Sequence, residues 1–447
     1  MDISRREFAA ALTGVVGTAI MPGGAVRTLA SDPCHLPAPI QALRPRTDGI
    51  APIADDERRG RIARAQALMA EHGLAAIVVE PGSSMSYFTA VSWSQSERTF
   101  AMVLPAAGAP AWVCPAFEEA RARERIRFGG DIRVWQEDES PFALLAAILT
   151  DRDAAGGKVG LEEQVRFFVA DGLRRAAPSL NLVSATPVTA GCRMSKSAAE
   201  LALMQRATDI TVLAFKAAFA TLREGMTQYE LGDHMTTALT RLGGSDPWAL
   251  VGFGEYSAFP HGSVQPQRLE RGDIVLLDSG CAVEGYQSDM TRTIVFGRPT
   301  RRQTEIWNLE RRAQDAAFAA ARVGVPCEAV DAAARRVITD AGFGPDYRLP
   351  GLPHRTGHGI GLDGHEWTNF VRGNTTPIAP GMCFSDEPMI AIYGEFGIRL
   401  EDCLYITEQG PRFFSPQSVA IDQPFGGDVP LRTEGNSLDV QWPSIGA

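Results

Sequence analysis

DIVLLDSGCAVEGYQSD, residues 273–289, reads as two strands folded about a turn. Asp273 to Asp278 is an apolar run rich in Ile, Val and Leu, which suits a buried strand. Glu284-Gly285 supplies the turn, and Tyr286 to Phe296 reads as the returning strand. A turn centred on 284–285 pairs Gly280 with Asp289 and leaves Asp278 two residues back. Side chains two apart share a face, so Asp278 and Asp289 become diagonal neighbours pointing the same way. Two buried carboxylates that close repel each other and lose hydration unless a cation or proton lies between them. Taken alone, the pair would be two solvated turn aspartates; the rest of the chain reverses that reading.

At 447 residues the chain exceeds one ordinary core, so two domains are expected. A hydrophobic content of 45% with 21% charged residues is that of a globular protein. A net charge of −10 with no isolated basic stretch argues against nucleic acid as a partner. Arginines 58, 59, 61 and 64 fall in a mixed-sign helix and read as a solvated face. The seven cysteines form no CxxC pair, which excludes a cysteine zinc site and a dense disulfide framework, though not an isolated bridge. Ser4-Arg5-Arg6-Glu7-Phe8 precedes an apolar stretch from Ala9 to Met21, too short for a mature membrane span. It resembles a twin-arginine export signal over residues 1–30, cleaved near Ala30, and implies a periplasmic or secreted protein with no stable membrane anchor.

Residues 31–53 are Pro-rich and aperiodic, a linker or surface-hugging arm. Residues 54–190 alternate strands and helices as an α/β domain: a helix from Glu57 to His72 stopped by Gly73, strands at 74–79, 99–104, 111–114 and 132–135, helices at 116–127 and 141–151. Its one histidine, His72, sits at a helix end, and no residue there stands out as catalytic. A second domain, 194–425, opens at the capping box Ser197–Glu200, which starts a helix reaching Glu224. Thr227–Glu230 caps a helix to Arg241. Thr300–Gln303 caps another to Val323, and Pro326, placed in a first turn, opens a fourth to about Ala341. Two helices then a hairpin, twice over, suggest a duplicated α/β unit. The tail, 426–447, is polar and Gly-rich, with no assignable structure.

Three histidines, His354, His358 and His365, fall in HRTGHGIGLDGHE, which is too Gly-rich for a stable helix. Such histidines are held by loop geometry, and Gly357 and Gly359 give His358 room for close metal approach. The glycines do not make a dinucleotide fingerprint, because position 362 is Leu. Cys383 to Asp386 reads as a short strand ended by Pro388. GIRLEDCLYIT, 397–407, alternates, placing Arg399, Glu401 and Cys403 on one face opposite Ile398, Leu400, Asp402 and Leu404, so Glu401 is a candidate inward-pointing carboxylate.

LLDSG at 276–280, SDMTRT at 288–293, GHGIGLDGHE at 357–366, DEPMI at 386–390 and GIRLED at 397–402 together resemble the motifs of the pita-bread metallopeptidases. Within these the chain is most similar to the Xaa-Pro dipeptidase (prolidase) and aminopeptidase P branch, over about 194–425. The 54–190 domain is similar to the creatinase-type N-terminal domain through Gly73-Leu74, Tyr87-Phe88-Thr89 and Glu97-Arg98. The resemblance implies an α/β (α+β) fold with a pseudo-twofold catalytic domain, and a ligand set of Asp278, Asp289, His358, Glu387 and Glu401. Four carboxylates and one imidazole suit two divalent ions, manganese first, with zinc, cobalt or iron admissible. Bridging carboxylates would hold the ions about 3.5–4 Å apart, and a water shared between them would become the nucleophile. Glu387 is implied as general base, His261 and His365 as substrate-facing histidines with one passing a proton to the leaving nitrogen, and His354 and Arg399 as pocket residues. Arg399 could meet a substrate carboxylate bidentately. A bond to proline nitrogen lacks an N–H, so ordinary clefts that read the backbone reject it. The substrate is expected to be a small peptide.

Family members often carry EPG where this chain has Glu387-Pro388-Met389, so Met389 narrows the pocket or merely packs; Trp367 and Phe370 raise the same alternative. A homodimer is implied, with Trp93 either shaping the neighbour's entrance or half-buried in its own core. Competing functions are a non-peptidase hydrolase or lyase, for esters or phosphotriesters, on the same dinuclear site, and a metal-free creatinase-like or binding module. The last predicts eroded ligands, whereas all five are present.

Overall fold

The computed structural model describes residues 36–426, with two further short strands at Arg432–Glu434 and Ser437–Asp439. The export-signal stretch, 1–30, lies outside the described residues. Residues 36–53 behave as an arm. The short helix Ala38–Gln41 and Ile53 send buried isoleucines into the core beneath the helices Ala198–Phe219 and Gln228–Leu242. Arg46 N–H donates to Leu242 O at 2.8 Å, and Arg241 Nη2 to Gln41 O at 3.0 Å. The tail expected to lack structure pairs Arg432–Glu434 with Ser437–Asp439.

The N-terminal half is built on a six-stranded mixed sheet. Its order is Asp131–Trp135, Ala111–Pro115, Ala101–Pro105, Leu74–Val79, Lys158–Leu161, Asn181–Ser184. The last two strands, and the helices Ser83–Thr89, Phe167–Ala176 and Thr186–Arg193, add to the elements expected from the sequence. Four-residue strands are too short to display a period. The helix Asp55–His72 ends as expected, with Gly73 left-handed at φ 67°. Arg61 departs from the solvated face assigned to its helix. It is 5% exposed, donates to Glu57 Oε1 at 2.7 Å and Tyr286 Oη at 3.1 Å, and lies 3.4 Å from Glu200.

The C-terminal half carries a nine-stranded antiparallel sheet. In order the path runs Glu366–Phe370, Gly357–Gly359, Cys383–Asp386, Glu401–Thr407, Met290–Val295, Ile274–Val283, Ser245–Phe253; Gly410–Phe413 and Tyr286–Gln287 attach beside it. Along Ile274–Val283, Val275 and Leu277 enter one core and Ile274 and Leu276 another, so both faces are covered and the run is continuously apolar. One core packs under Ala198–Phe219 and Gln228–Leu242, the other under Arg301–Ala320 and Cys327–Asp340, in keeping with a duplicated unit. All three capping boxes form with both reciprocal bonds. Two helices stop early, at Phe219 and Ala320, and Pro326 is the N-cap rather than a first-turn residue. Beyond the first, the Gly225 N–H donates to Leu269 O at 2.8 Å.

Where the two halves of this sheet meet, Arg292 is fully buried. It donates to Asp402 Oδ1 at 2.6 Å, Pro424 O at 2.7 Å and Pro416 O at 2.9 Å. The 415–424 segment is thereby tied to the central strands.

Candidate metal centre

The hairpin has the expected register: Val283 faces Tyr286, Ala282 faces Gln287 and Asp278 faces Thr291. Thr291 also lies opposite Glu401 on the next strand, so three adjacent strands deliver Asp278, Thr291 and Glu401 to one face. Gly280 is required here, because a Cβ would lie 1.9 Å from Ser288 O. His358 arrives on Gly357–Gly359, and Glu387 directly after Cys383–Asp386. Its glycine neighbours answer a different need from the one expected. A Cβ at Gly357 would meet Ser385 O at 2.1 Å, and one at Gly359 would meet Glu366 O at 2.7 Å, so glycine lets neighbouring backbones close up.

All nine residues singled out from sequence line one cleft of about 400 Å³: His261, Asp278, Asp289, His354, His358, His365, Glu387, Arg399 and Glu401. Ligand atoms of Asp289, His358 and Glu401 lie within 4.8 Å of one another. His358 Nε2 stands 3.3 Å from Glu387 Oε1 and 3.7 Å from Asp289 Oδ2. Its Nδ1 is 3.0 Å from Gly359 O, which fixes the proton there and leaves Nε2 with a lone pair toward the carboxylates. Ser385 Oγ accepts the His358 backbone N–H at 2.9 Å and donates to Glu387 Oε1 at 3.1 Å, tying the His358 backbone to the Glu387 side chain.

Burial dominates the electrostatics. It pushes the His358 and His354 imidazoles down to about 3, so both are neutral. It also raises Asp278, raises Asp289 and Glu401 well above the carboxylate range, and lifts Glu387 to about 7. Among the carboxylates themselves, Asp278 pushes Asp289 up and Asp289 pushes Glu401 up. Burial alone would lower Arg399, but Asp278 and then Glu401 outweigh it and hold the guanidinium charged.

Arg399 lines the cleft, yet it is 2% exposed and each nitrogen already donates within the protein. Nε reaches Thr291 Oγ1 at 2.9 Å, Nη1 reaches Pro260 O at 2.9 Å, and Nη2 pairs with Asp278. The free fork expected for a substrate carboxylate is therefore turned inward. Thr291 in turn donates to Glu401 Oε2 at 2.6 Å.

These residues fit divalent cations. Asp278 Oδ1 is buried without a hydrogen-bond partner, and four carboxylates share one buried guanidinium and a neutral imidazole. Ionised, the set carries a surplus of negative charge that only cations could offset in so dry a cleft. Oxygen-rich donors with one nitrogen suit hard or borderline divalent metals.

Sequence reasoning passed over Arg355, though it stands inside the histidine motif. Its Nη2 donates to His365 Nδ1 at 2.8 Å, leaving Nε2 of that ring to carry the proton, and the ring stacks on His358 at 3.9 Å. Met389 is fully buried in a hydrophobic core and Phe370 stacks on Phe384, so both are packing residues. Trp367, 53% exposed, lines a second cleft of about 290 Å³ that shares Arg355 and His365 with the first. Trp93 stacks on Phe100 at 4.2 Å under Arg121, the half-buried alternative. The six described cysteines are free and buried.

The chain matches the Creatinase/Prolidase N-terminal domain over residues 61–195 and Metallopeptidase family M24 over 202–408. It is 36% identical over 355 residues to a probable dipeptidase PepE of Mycobacterium bovis, covering 78% of this chain and 92% of that one. It is 32% identical over 339 residues to a Xaa-Pro dipeptidase of Lactobacillus helveticus, covering 74% and 90%. The crystal structure of dipeptidase PepE from Mycobacterium ulcerans superposes with a TM-score of 0.76 at 32% identity, covering 84% of this chain and 99% of that chain. With the strands of the candidate metal centre inside the matched region and relatives aligned across both halves, the chain belongs to Metallopeptidase family M24.

Proposed function

We propose that this metallopeptidase hydrolyses Xaa-Pro bonds in small peptides with two divalent cations, manganese first, held by Asp278, Asp289, His358, Glu387 and Glu401. The observation that carries the reading is the convergence of four buried carboxylates and a neutral imidazole on one cleft. Bound cations would polarise the scissile carbonyl and make water acidic enough to attack at neutral pH. Glu387, which lines the cleft with the other carboxylates, would take a proton from that water and return it. His365, with Nδ1 occupied by Arg355, has Nε2–H to offer the departing proline nitrogen. His354 Nε2 is buried without a partner and is a ready acceptor for a substrate N–H. His261 lines the same cleft and would face the substrate.

The test uses the full chain reconstituted with manganese on a Xaa-Pro dipeptide, a Xaa-Pro-Yaa tripeptide and a non-proline dipeptide, each repeated with Glu387→Ala. Metal-dependent cleavage of the dipeptide alone makes the enzyme a prolidase, and cleavage of the tripeptide an aminopeptidase P. Cleavage of neither, with two ions per chain verified, overturns the proline reading in favour of another hydrolase. Two accompanying proposals have their own checks. A homodimer would show in light scattering. Export through the twin-arginine route would stop when Arg5 and Arg6 are both changed to Lys.

A further inference from the structure

Among the described residues, none lining the metal cleft precedes Trp248, so the described N-terminal half contributes no side chain to it. Nonetheless that half grips the loop between His358 and His365. Arg193 ends the helix Thr186–Arg193, and Lys196 follows on the link to the catalytic half; both are 7% exposed. Arg193 Nη2 reaches Asp363 Oδ2 at 2.6 Å and also pairs with Glu366 Oε1. Lys196 Nζ lies 3.1 Å from Glu366 Oε2, and Ser83 Oγ donates to the other Asp363 oxygen. The Asp363 N–H donates to Glu366 Oε1 at 3.1 Å, closing the loop on itself. Fit is tight: a Cβ on Gly361 would come within 2.7 Å of Glu366 Oε2 and 2.8 Å of Lys196 Cε.

Two cations and two carboxylates thus balance in a largely dry space. Such networks contribute little net stability against an apolar replacement, because desolvation offsets the attraction. What they do supply is a defined geometry. The residue this geometry bears on is His365, adjacent in sequence to Glu366 and stacked on His358. The clamp residues Arg193, Asp363 and Glu366 also wall the second cleft, where it meets His365 and Arg355.

We propose that Arg193 and Lys196 are positioning residues for hydrolysis: by clamping Asp363 and Glu366 they set where His365 stands over the metal cleft. The inference rests on the proton-donating role given to His365 above. A misplacement of about 1 Å in a catalytic group costs on the order of 100-fold in rate. The metal-loaded full chain is compared with Arg193→Gln, Arg193→Lys and Glu366→Gln, alone and combined with His365→Ala. Expected are a ~10- to 100-fold loss of kcat for Arg193→Gln and Glu366→Gln, KM within ~3-fold and unchanged metal content. Arg193→Lys should recover part of the loss, since one ammonium can meet only part of the fork's contacts. In the His365→Ala background Arg193→Gln should cost nothing further; losses that multiply would overturn the proposal, as would an unchanged kcat. Amide hydrogen exchange gives a readout independent of turnover. Residues 360–368 should exchange faster in Arg193→Gln while the 274–283 strand stays protected, and unaltered protection of the loop overturns the clamp. If the parent cleaves no proline substrate yet the loop loosens in the variants, the proline reading falls and the clamp stands.

Discussion

Arg399 sits where four acidic side chains need a counter-charge, and its three nitrogens are committed to Thr291, Pro260 and Asp278. Removing it by Arg399→Met would leave buried carboxylates uncompensated, at a cost of about 3–5 kcal/mol in metal-free protein. Adding manganese should recover much of that loss, because the ions then carry the compensating charge. Melting temperatures with and without metal check this; an equal deficit in both conditions would contradict it. His358→Ala has a different signature. It removes the one nitrogen donor and lowers bound metal, measurable by elemental analysis, while the buried backbone bond from residue 358 to Ser385 remains available.

At the scale of elements, the hairpin is the most exacting piece. Gly280→Ala would push a methyl group into Ser288 O, so the strand must shift, and the Asp278–Asp289 pair shifts with it. The expected result is poorly soluble protein, or soluble protein with weakened metal binding. Thr300→Ala, by contrast, removes the N-cap of the helix Arg301–Ala320, which lines no part of the cleft, and should cost about 1 kcal/mol with kcat unchanged. These two features were legible in the sequence because each is local: a turn dipeptide fixes a register, and a Ser/Thr–Glu/Gln spacing fixes a helix start. Nine of the cleft residues were legible too, through the family resemblance of motifs that stay together in the chain, whereas Arg355 was missed. What escaped was non-local. The inward turn of Arg399 depends on Thr291 and Asp278, more than a hundred residues away. Arg193 and Lys196 mean little until the fold brings Glu366 to them, and Arg61 looked solvent-facing until Tyr286 and Glu200 covered it.

For the molecule as a whole, part of the join between halves is electrostatic and so depends on pH. Burial alone would raise the Glu366 carboxyl, but Lys196 and Arg193 outweigh it and bring it from 4.5 to about 2. Because the folded value lies below the unfolded one, its contribution is fully present above about pH 4.5 and is lost as pH falls toward 2. Its size is on the order of 3 kcal/mol. Denaturant titrations from pH 7 to 2 should therefore show a flatter acid limb in Glu366→Gln than in the parent.

The tie between Arg292 and the carbonyls of Pro416 and Pro424 has a consequence for the gene. A premature stop codon just after Phe413 would spare every proposed metal ligand and every strand of the nine-stranded sheet. It would also strip two acceptors from a guanidinium that has no exposure to water, and with them Ser415, which donates to Asp402. Such a truncated product would carry every proposed metal ligand and is still expected to be cleared by proteolysis.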